Sequence, residues 1–82
     1  MNNIKFYSTV WCGDCVRSKK LLDSLSINYE EIDIDMDKEA YKKVAELQNR
    51  KPRIPTILFE DGTYLVEPTD PELLEKITSY QN

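Results

Sequence analysis

The feature that most constrains this chain is the segment Trp11-Cys12-Gly13-Asp14-Cys15, which contains both of its cysteines. An apolar run at residues 4–7 comes before it, and a helix-like segment of residues 16–25 follows it. Two intracellular cysteines separated by two residues, at the join of a strand and a helix, are typical of a thiol–disulfide redox site. The fold must therefore bring a strand end and a helix start together at this point.

The rest of the pattern predicts an α/β fold with the element order β-α-β-α-β-β-α. A β-α-β crossover makes its two strands parallel, and Asp61-Gly62 is a hairpin signal that adds an antiparallel edge strand. We therefore expect a four-stranded mixed sheet flanked by three helices. The predicted strands are residues 4–7, 29–34, 56–59 and 63–66, and the predicted helices are residues 13–25, residues 38–48 and a C-terminal helix that starts at a capping box of Thr69 and Glu72.

Length and composition restrict the class of protein. The 82 residues are enough for one domain, expected to span residues 1–82. No apolar run approaches the roughly 20 residues that span a bilayer, and residues 1–5 do not resemble a secretory signal. We therefore expect a cytoplasmic protein, most simply a monomer, in which a disulfide is catalytic rather than structural. The net charge of −4 argues against nonspecific nucleic-acid binding.

The two cysteines are expected to have unequal roles. The start of a helix offers free N–H groups and a partial positive charge, which favour a thiolate. Cys12 should lie outside the helix, exposed, as the nucleophile, whereas Cys15 should be buried in the first turn as the resolving thiol. Asp14 has opposing effects, because it repels a thiolate but suits a helix start.

Other uses of the cysteine pair are a structural disulfide or a metal site. A zinc site needs about four ligands, and the chain has two cysteines and no histidine. No metal site is therefore predicted within one chain, although a metal shared across a dimer stays open.

Pro55 is the second informative residue. A proline at the start of a strand can simply mark a boundary or an edge. Alternatively, the Ile54–Pro55 bond is cis and opposes the cysteines, so that the N–H and C=O of Ile54 face outward and pair with a substrate as an added strand. With the cysteine pair upstream, we predict the cis form and a substrate-binding role for both residues.

Basic residues gather in two windows. They are either solvated surface or, if both windows meet in space, an anion-attracting rim around the cysteines. The windows are Arg17, Lys19 and Lys20, and Arg50, Lys51 and Arg53.

The segment Tyr7-Ser8-Thr9-Val10-Trp11-Cys12-Gly13-Asp14-Cys15, with Arg17 and Lys19 after it, resembles the glutaredoxin active site. Ile54-Pro55-Thr56 resembles the cis-proline segment of that family. The resemblance covers essentially the whole chain, and Gly13 with Asp61-Gly62 looks most like the mycoredoxin branch. It implies a thioredoxin-like fold and no tightly bound cofactor. It also implies reduction of protein disulfides or mixed disulfides with glutathione or another low-molecular-weight thiol, so the partners are that thiol and client proteins.

The chain departs from the family pattern around the expected thiol site. Gly13-Asp14 replaces the common Pro-Tyr, and Glu67-Pro68-Thr69-Asp70 lacks the paired glycines that hold the γ-glutamyl end of glutathione. Thr69 and Asp70 either bind an amino group and a polar head or only cap the helix. Arg53 replaces a usual threonine and is a candidate contact for a substrate carboxylate, and Trp11 joins the substrate-binding candidates.

Three other functions remain open at this point. The chain resembles glutaredoxins that bridge a [2Fe–2S] cluster between two subunits, and a Gly after the first Cys is compatible with that use. It could also take electrons from a thioredoxin reductase. The third alternative is a thioredoxin-fold binding module in which the cysteines are idle.

Overall fold

The computed structural model describes residues 4–81, with the backbone alone at residues 80 and 81. The prediction that residues 1–5 are not a secretory signal falls partly on residues 1–3, which lie outside the described residues. The elements follow the predicted order. They are β1 (Lys5–Ser8), α1 (Gly13–Ser24), β2 (Glu30–Asp33), α2 (Lys38–Gln48), β3 (Thr56–Leu58), β4 (Tyr64–Val66) and α3 (Asp70–Gln81).

The sheet is mixed, as predicted, and its strand order is β2-β1-β3-β4. β1 pairs in parallel with β2, β3 runs antiparallel to β1, and β4 runs antiparallel to β3. Thr56, the first residue of β3, lies opposite both Tyr7 near the end of β1 and Val66 at the end of β4. The segments that follow β1, precede β3 and follow β4 therefore meet at one edge of the sheet.

Helices cover both faces of the sheet because side chains alternate along β1. Phe6 points to one face and packs in a cluster with Leu22 of α1 and Leu73 of α3. Tyr7 points to the other face and packs with Val44 of α2. This arrangement confirms the predicted helices on both faces.

The predicted local signals form as expected at the turn and at the last helix. Gly62 has φ of 90°, a left-handed conformation that glycine adopts without strain, and its N–H donates to the Phe59 carbonyl at 3.0 Å. Thr69 and Glu72 form the reciprocal capping box, in which the Glu72 carboxylate accepts from the Thr69 N–H at 2.8 Å. Among the described residues, no helix is long and apolar enough to span a membrane.

Two adjacent leucines of α3 provide a matched test of this packing. Leu73 is fully buried, whereas Leu74 is 45% exposed. We expect Leu73→Ala to lower the free energy of unfolding by about 2–5 kcal/mol because it leaves a cavity in the core. Leu74→Ala makes the same chemical change in the same helix and should cost less than about 1 kcal/mol. Urea denaturation measures both variants, and equal losses would contradict the described orientation of α3.

Candidate active site

Cys12 lies at the N-cap of α1, just outside the helix, as predicted. Its Sγ accepts a hydrogen bond from the backbone N–H of Cys15 at 3.1 Å. The first turn of the helix thus directs an N–H dipole at the sulfur, which stabilises negative charge at that atom. The spacing of the two cysteines is what allows this contact, since an N-cap side chain accepts from the N–H two or three residues later.

The prediction that Cys12 is exposed is wrong. Only 8% of Cys12 is accessible, against 0% for Cys15, so the predicted order holds but the first cysteine is also buried. The reason is tertiary, because the segment before β3 lies across the sulfur. The Cys12 Sγ is 4.0 Å from the Ile54 carbonyl oxygen, to which its S–H donates.

Cys15 is buried behind Cys12, and both are free thiols in this structure. Burial raises the pKa of Cys15 to about 12, and its hydrogen bond to Cys12 acts in the same direction. A hydrogen bond from the backbone of Thr9 opposes this rise in pKa. Cys15 is therefore a protonated thiol at neutral pH in the dithiol form.

The Ile54–Pro55 peptide bond is cis, as predicted. The register of β3 against β1 brings this bond to the cysteines, because Thr56 pairs with Tyr7. The Ile54 carbonyl faces Cys12, and the Pro55 carbonyl accepts from the N–H of Glu67 at 2.8 Å. The backbone before β3 thus forms one wall of the site.

Gln48 holds this wall in place, a role that the sequence analysis did not find. Its amide N–H groups donate to Thr56 Oγ1 at 2.7 Å and to the Arg53 carbonyl at 3.2 Å, and its Oε1 accepts from the Arg53 N–H at 3.0 Å. The hydroxyl of Thr56 donates to the Arg53 carbonyl at 2.6 Å. The available signal was an amide one helical turn after the buried Val44, on the side of α2 that faces the sheet.

A groove of about 470 Å³ opens beside Cys12. Trp11 stands on one side and is 70% exposed, and its indole N–H donates to Asp35 Oδ2 at 2.9 Å. Arg53 and Ile54 stand on the other side. The lining is completed by Gly13, Asp14, Pro52 and Glu67.

The remaining candidate residues are already engaged with neighbouring groups. Arg53 forms an ion pair with Glu67 at 3.6 Å, so its charge is compensated within the groove. Asp70 pairs with Arg17 at 2.6 Å and lines a second cleft, also of about 470 Å³, and Gly13 lines both this cleft and the groove. Thr69 belongs to the capping box of α3.

The two basic windows do not meet at one cleft. Arg17 and Lys20 line the cleft that contains Asp70, whereas Arg50 and Lys51 line another beside α2. No single cleft therefore combines the two windows into the alternative of an anion-attracting rim, and Arg53 alone of the six basic residues lines the groove of Cys12. Among the described residues, no group of three or more Cys, Asp or Glu side chains is arranged to hold a metal ion.

The raised pKa of Cys15 predicts a pH dependence of stability. The ordinary pKa of an unfolded cysteine is about 8.5, so above that pH the unfolded chain loses a proton that the folded, reduced protein keeps until its pKa of about 12. The free energy of unfolding should then fall by up to about 1.4 kcal/mol per pH unit. Urea denaturation under reducing conditions from pH 8 to pH 10 should show a steeper decline for the natural chain than for Cys15→Ala. Parallel declines would contradict this prediction.

Known proteins are similar to this chain in sequence and in fold. Residues 4–65 match the sequence model of the family described as Glutaredoxin. The chain is 35% identical over 77 residues to mycoredoxin 1 of Corynebacterium glutamicum, covering 94% of this chain and 95% of that protein. The glutaredoxin of Archaeoglobus fulgidus has the same fold, with a TM-score of 0.79 and 22% identity over 94% of this chain and 87% of that one. A buckwheat glutaredoxin–glutathione complex is similar with a TM-score of 0.69 and 22% identity, over 96% of this chain and 71% of that one. The fold is thus thioredoxin-like, as the resemblance implied, and the chain belongs to the glutaredoxin family.

Proposed function

We propose that this protein is a thiol–disulfide oxidoreductase in which Cys12 is the nucleophile and Cys15 the resolving thiol. The observation that carries the proposal is the hydrogen bond from the Cys15 N–H to Cys12 Sγ. It stabilises negative charge on the one sulfur that borders the groove, while the other sulfur is buried behind it. Membership of the glutaredoxin family supports the same reaction class.

The reaction begins when the Cys12 thiolate attacks one sulfur of a client disulfide or mixed disulfide. A bond forms between Cys12 and that sulfur, the substrate S–S bond breaks, and the second sulfur leaves as a thiolate that takes up a proton. A second thiolate then attacks Cys12 and releases the bound sulfur. When Cys15 is that thiolate it loses its proton, a Cys12–Cys15 disulfide forms, and the protein is oxidised while the substrate is reduced.

The state of Cys15 favours an external thiol in this second step. Attack requires a thiolate, and burial, the largest cause of the raised pKa of Cys15 in the dithiol form, does not depend on a free Cys12. At neutral pH very little of it is therefore ionised, and a low-molecular-weight thiol from solution competes well for the intermediate. The similarity to mycoredoxin 1 and to a glutaredoxin–glutathione complex supports this class of co-substrate.

The two clefts beside Gly13 suit a thiol that carries both an amine and a carboxylate. The groove contains the pair Arg53–Glu67, and the second cleft contains the pair Arg17–Asp70. Each cleft thus offers one cation and one anion within a few ångströms. We assign the carboxylate of the thiol to Arg53 and its amine to Asp70, with Thr69 beside Asp70.

The substrate backbone is assigned to the wall before β3. An extended chain in the groove would reach the Ile54 backbone, and main-chain hydrogen bonds of this kind recognise extended peptides without regard to their sequence. Pro55 shapes that wall, and Trp11 bounds the groove opposite it.

The clients are disulfide-bearing proteins, the place of action is the cytoplasm, and the acting form is the monomer.

A coupled assay tests the proposal and the electron source together. Pure protein is supplied with a mixed-disulfide substrate and with one electron donor at a time. The donors are glutathione, mycothiol, bacillithiol and the flavin enzyme thioredoxin reductase. Turnover with a small thiol is the expected result. Turnover with thioredoxin reductase but with no small thiol would show that the reductase, and not a small thiol, supplies the electrons. No turnover with any donor would overturn the proposal. Visible absorbance after anaerobic iron–sulfur reconstitution would favour the cluster-carrier alternative.

The two cysteines give a matched pair of variants. Cys12→Ser should abolish turnover, because it removes the nucleophile. Cys15→Ser should retain activity on small-thiol mixed disulfides within about tenfold of the natural chain, since an external thiol can resolve the intermediate. The release of product thiol measures both rates. Complete loss in Cys15→Ser would instead indicate a strict dithiol route.

A further inference from the structure

Three large apolar side chains stand in solvent at the cysteine end of the sheet. Val10 is 88% exposed, Met36 is 83% exposed, and Trp11 is 70% exposed. Single exposed apolar residues are common in soluble proteins, but a group of them at one edge indicates a surface that contacts a partner. We call Val10, Trp11 and Met36 the Trp11 platform.

The platform is built from two loops that are fixed to each other. β1 and β2 are parallel, so the loops that follow them leave the same edge of the sheet. The hydrogen bond from the Trp11 indole to Asp35 joins these loops. Met36 comes next in a tight turn, in which its own N–H and that of Asp37 donate to the Asp33 carbonyl at 3.1 and 3.0 Å. The apolar surface is therefore held in place before any partner arrives, which reduces the entropy cost of binding.

Acidic side chains border the platform without basic partners. Asp35 accepts from the Trp11 indole, Asp33 accepts from the Asp35 N–H, and Asp37 accepts from the Ala40 N–H. Within residues 4–81, no Lys or Arg forms an ion pair with any of these three carboxylates. The acids at both thiol clefts are instead paired with arginine. Asp37 also lines a cleft with Lys42 and Lys43, so the negative charge on the platform side lies mainly at Asp33 and Asp35.

We propose that the Trp11 platform docks client segments in which the disulfide cysteine has an apolar neighbour and a Lys or Arg within a few residues. This inference rests on the proposed function and names its protein substrates. The apolar side chain would cover Trp11 and Met36, and the basic side chain would face Asp33, Asp35 and Asp37. A second copy of this chain is a poor occupant, because two facing platforms would bring six carboxylates together.

Binding is tested apart from redox chemistry with peptides in which Ser replaces the reactive Cys. One peptide has Leu and Lys beside the Ser, and its matched control has Gly and Glu. In an NMR titration of the reduced protein, the first peptide should shift the Trp11 indole N–H and the Met36 methyl signals. It should bind about tenfold more tightly than the control at low salt, and the difference should shrink at high salt.

Two substitutions separate the apolar and the charged contributions. Asp35→Asn retains an oxygen that can accept a hydrogen bond from the Trp11 indole but removes the negative charge. It should therefore weaken the binding of the Leu–Lys peptide and reduce the salt dependence of that binding. As a control, Glu75→Gln removes one exposed charge from α3 and should leave the affinity for the Leu–Lys peptide and its salt dependence unchanged. Met36→Ser removes an exposed apolar side chain, so the fold is retained while binding of the Leu–Lys peptide falls.

Kinetics then connects docking to the reaction. The same two peptides, with Cys restored and carried as mixed disulfides of one small thiol, are reduced in single turnovers. The Leu–Lys peptide should react about tenfold faster than the Gly–Glu peptide. In the Met36→Ser variant, the ratio of the two peptide rates should become smaller. The same variant should catalyse the reduction of 2-hydroxyethyl disulfide at the rate of the natural chain, because that substrate is too small to reach the platform.

The outcomes distinguish this inference from the proposed function. Equal affinities for the two peptides, or shifts that map away from residues 10, 11 and 36, overturn the docking inference even if 2-hydroxyethyl disulfide is reduced. Concentration-dependent shifts of the platform in the absence of peptide would assign it to a second copy and also overturn it. Selective peptide binding without reduction of any disulfide would support docking and overturn the proposed function.

Discussion

The pairing of β3 with β1 decides where the functional groups of this protein lie. Because the start of β3 is opposite the end of β1 and the end of β4, three loops that are far apart in sequence meet at one edge of the sheet. One loop carries Cys12, one carries Ile54, and one carries Glu67. A slip of one residue would turn Phe6 and Tyr7 to the wrong faces, so the cores on both faces fix this register and, with it, the geometry of the groove.

Two chemically identical cysteines acquire different properties from this arrangement. Both belong to the start of α1, and one backbone hydrogen bond joins the N–H of Cys15 to the sulfur of Cys12. Burial under the sheet raises the pKa of Cys15 to about 12, whereas Cys12 lies at the border of a groove that substrates can enter. The difference in their burial and surroundings thus comes from position along one helical turn. The proposed resolution by a small thiol rests on this buried, protonated second thiol.

Charge is distributed unevenly around the reactive sulfur. At the two clefts, Arg53 and Arg17 each neutralise an acid, so those surfaces are mixed in sign. On the side of Trp11, the turn after β2 presents carboxylates that bond only to neutral donors. This surface therefore carries acids without ion-pair partners, whereas the acids at the clefts are paired. In the proposed function, small thiols and protein clients would therefore approach the same sulfur from differently charged sides.

The sequence by itself determined the order of the elements, the capping box at Thr69, the turn at Gly62, the unequal depth of the cysteines and the cis bond before Pro55. These features depend on local spacing, or on a short motif that carries its own geometry. Only the tertiary structure decided that Ile54 covers Cys12, that Gln48 braces the wall before β3, that Arg53 is paired and that no single cleft combines the two basic windows. Those outcomes depend on contacts between residues distant in sequence. Helix and strand periodicity gives the face on which a side chain lies, but only packing and register decide which neighbour it meets.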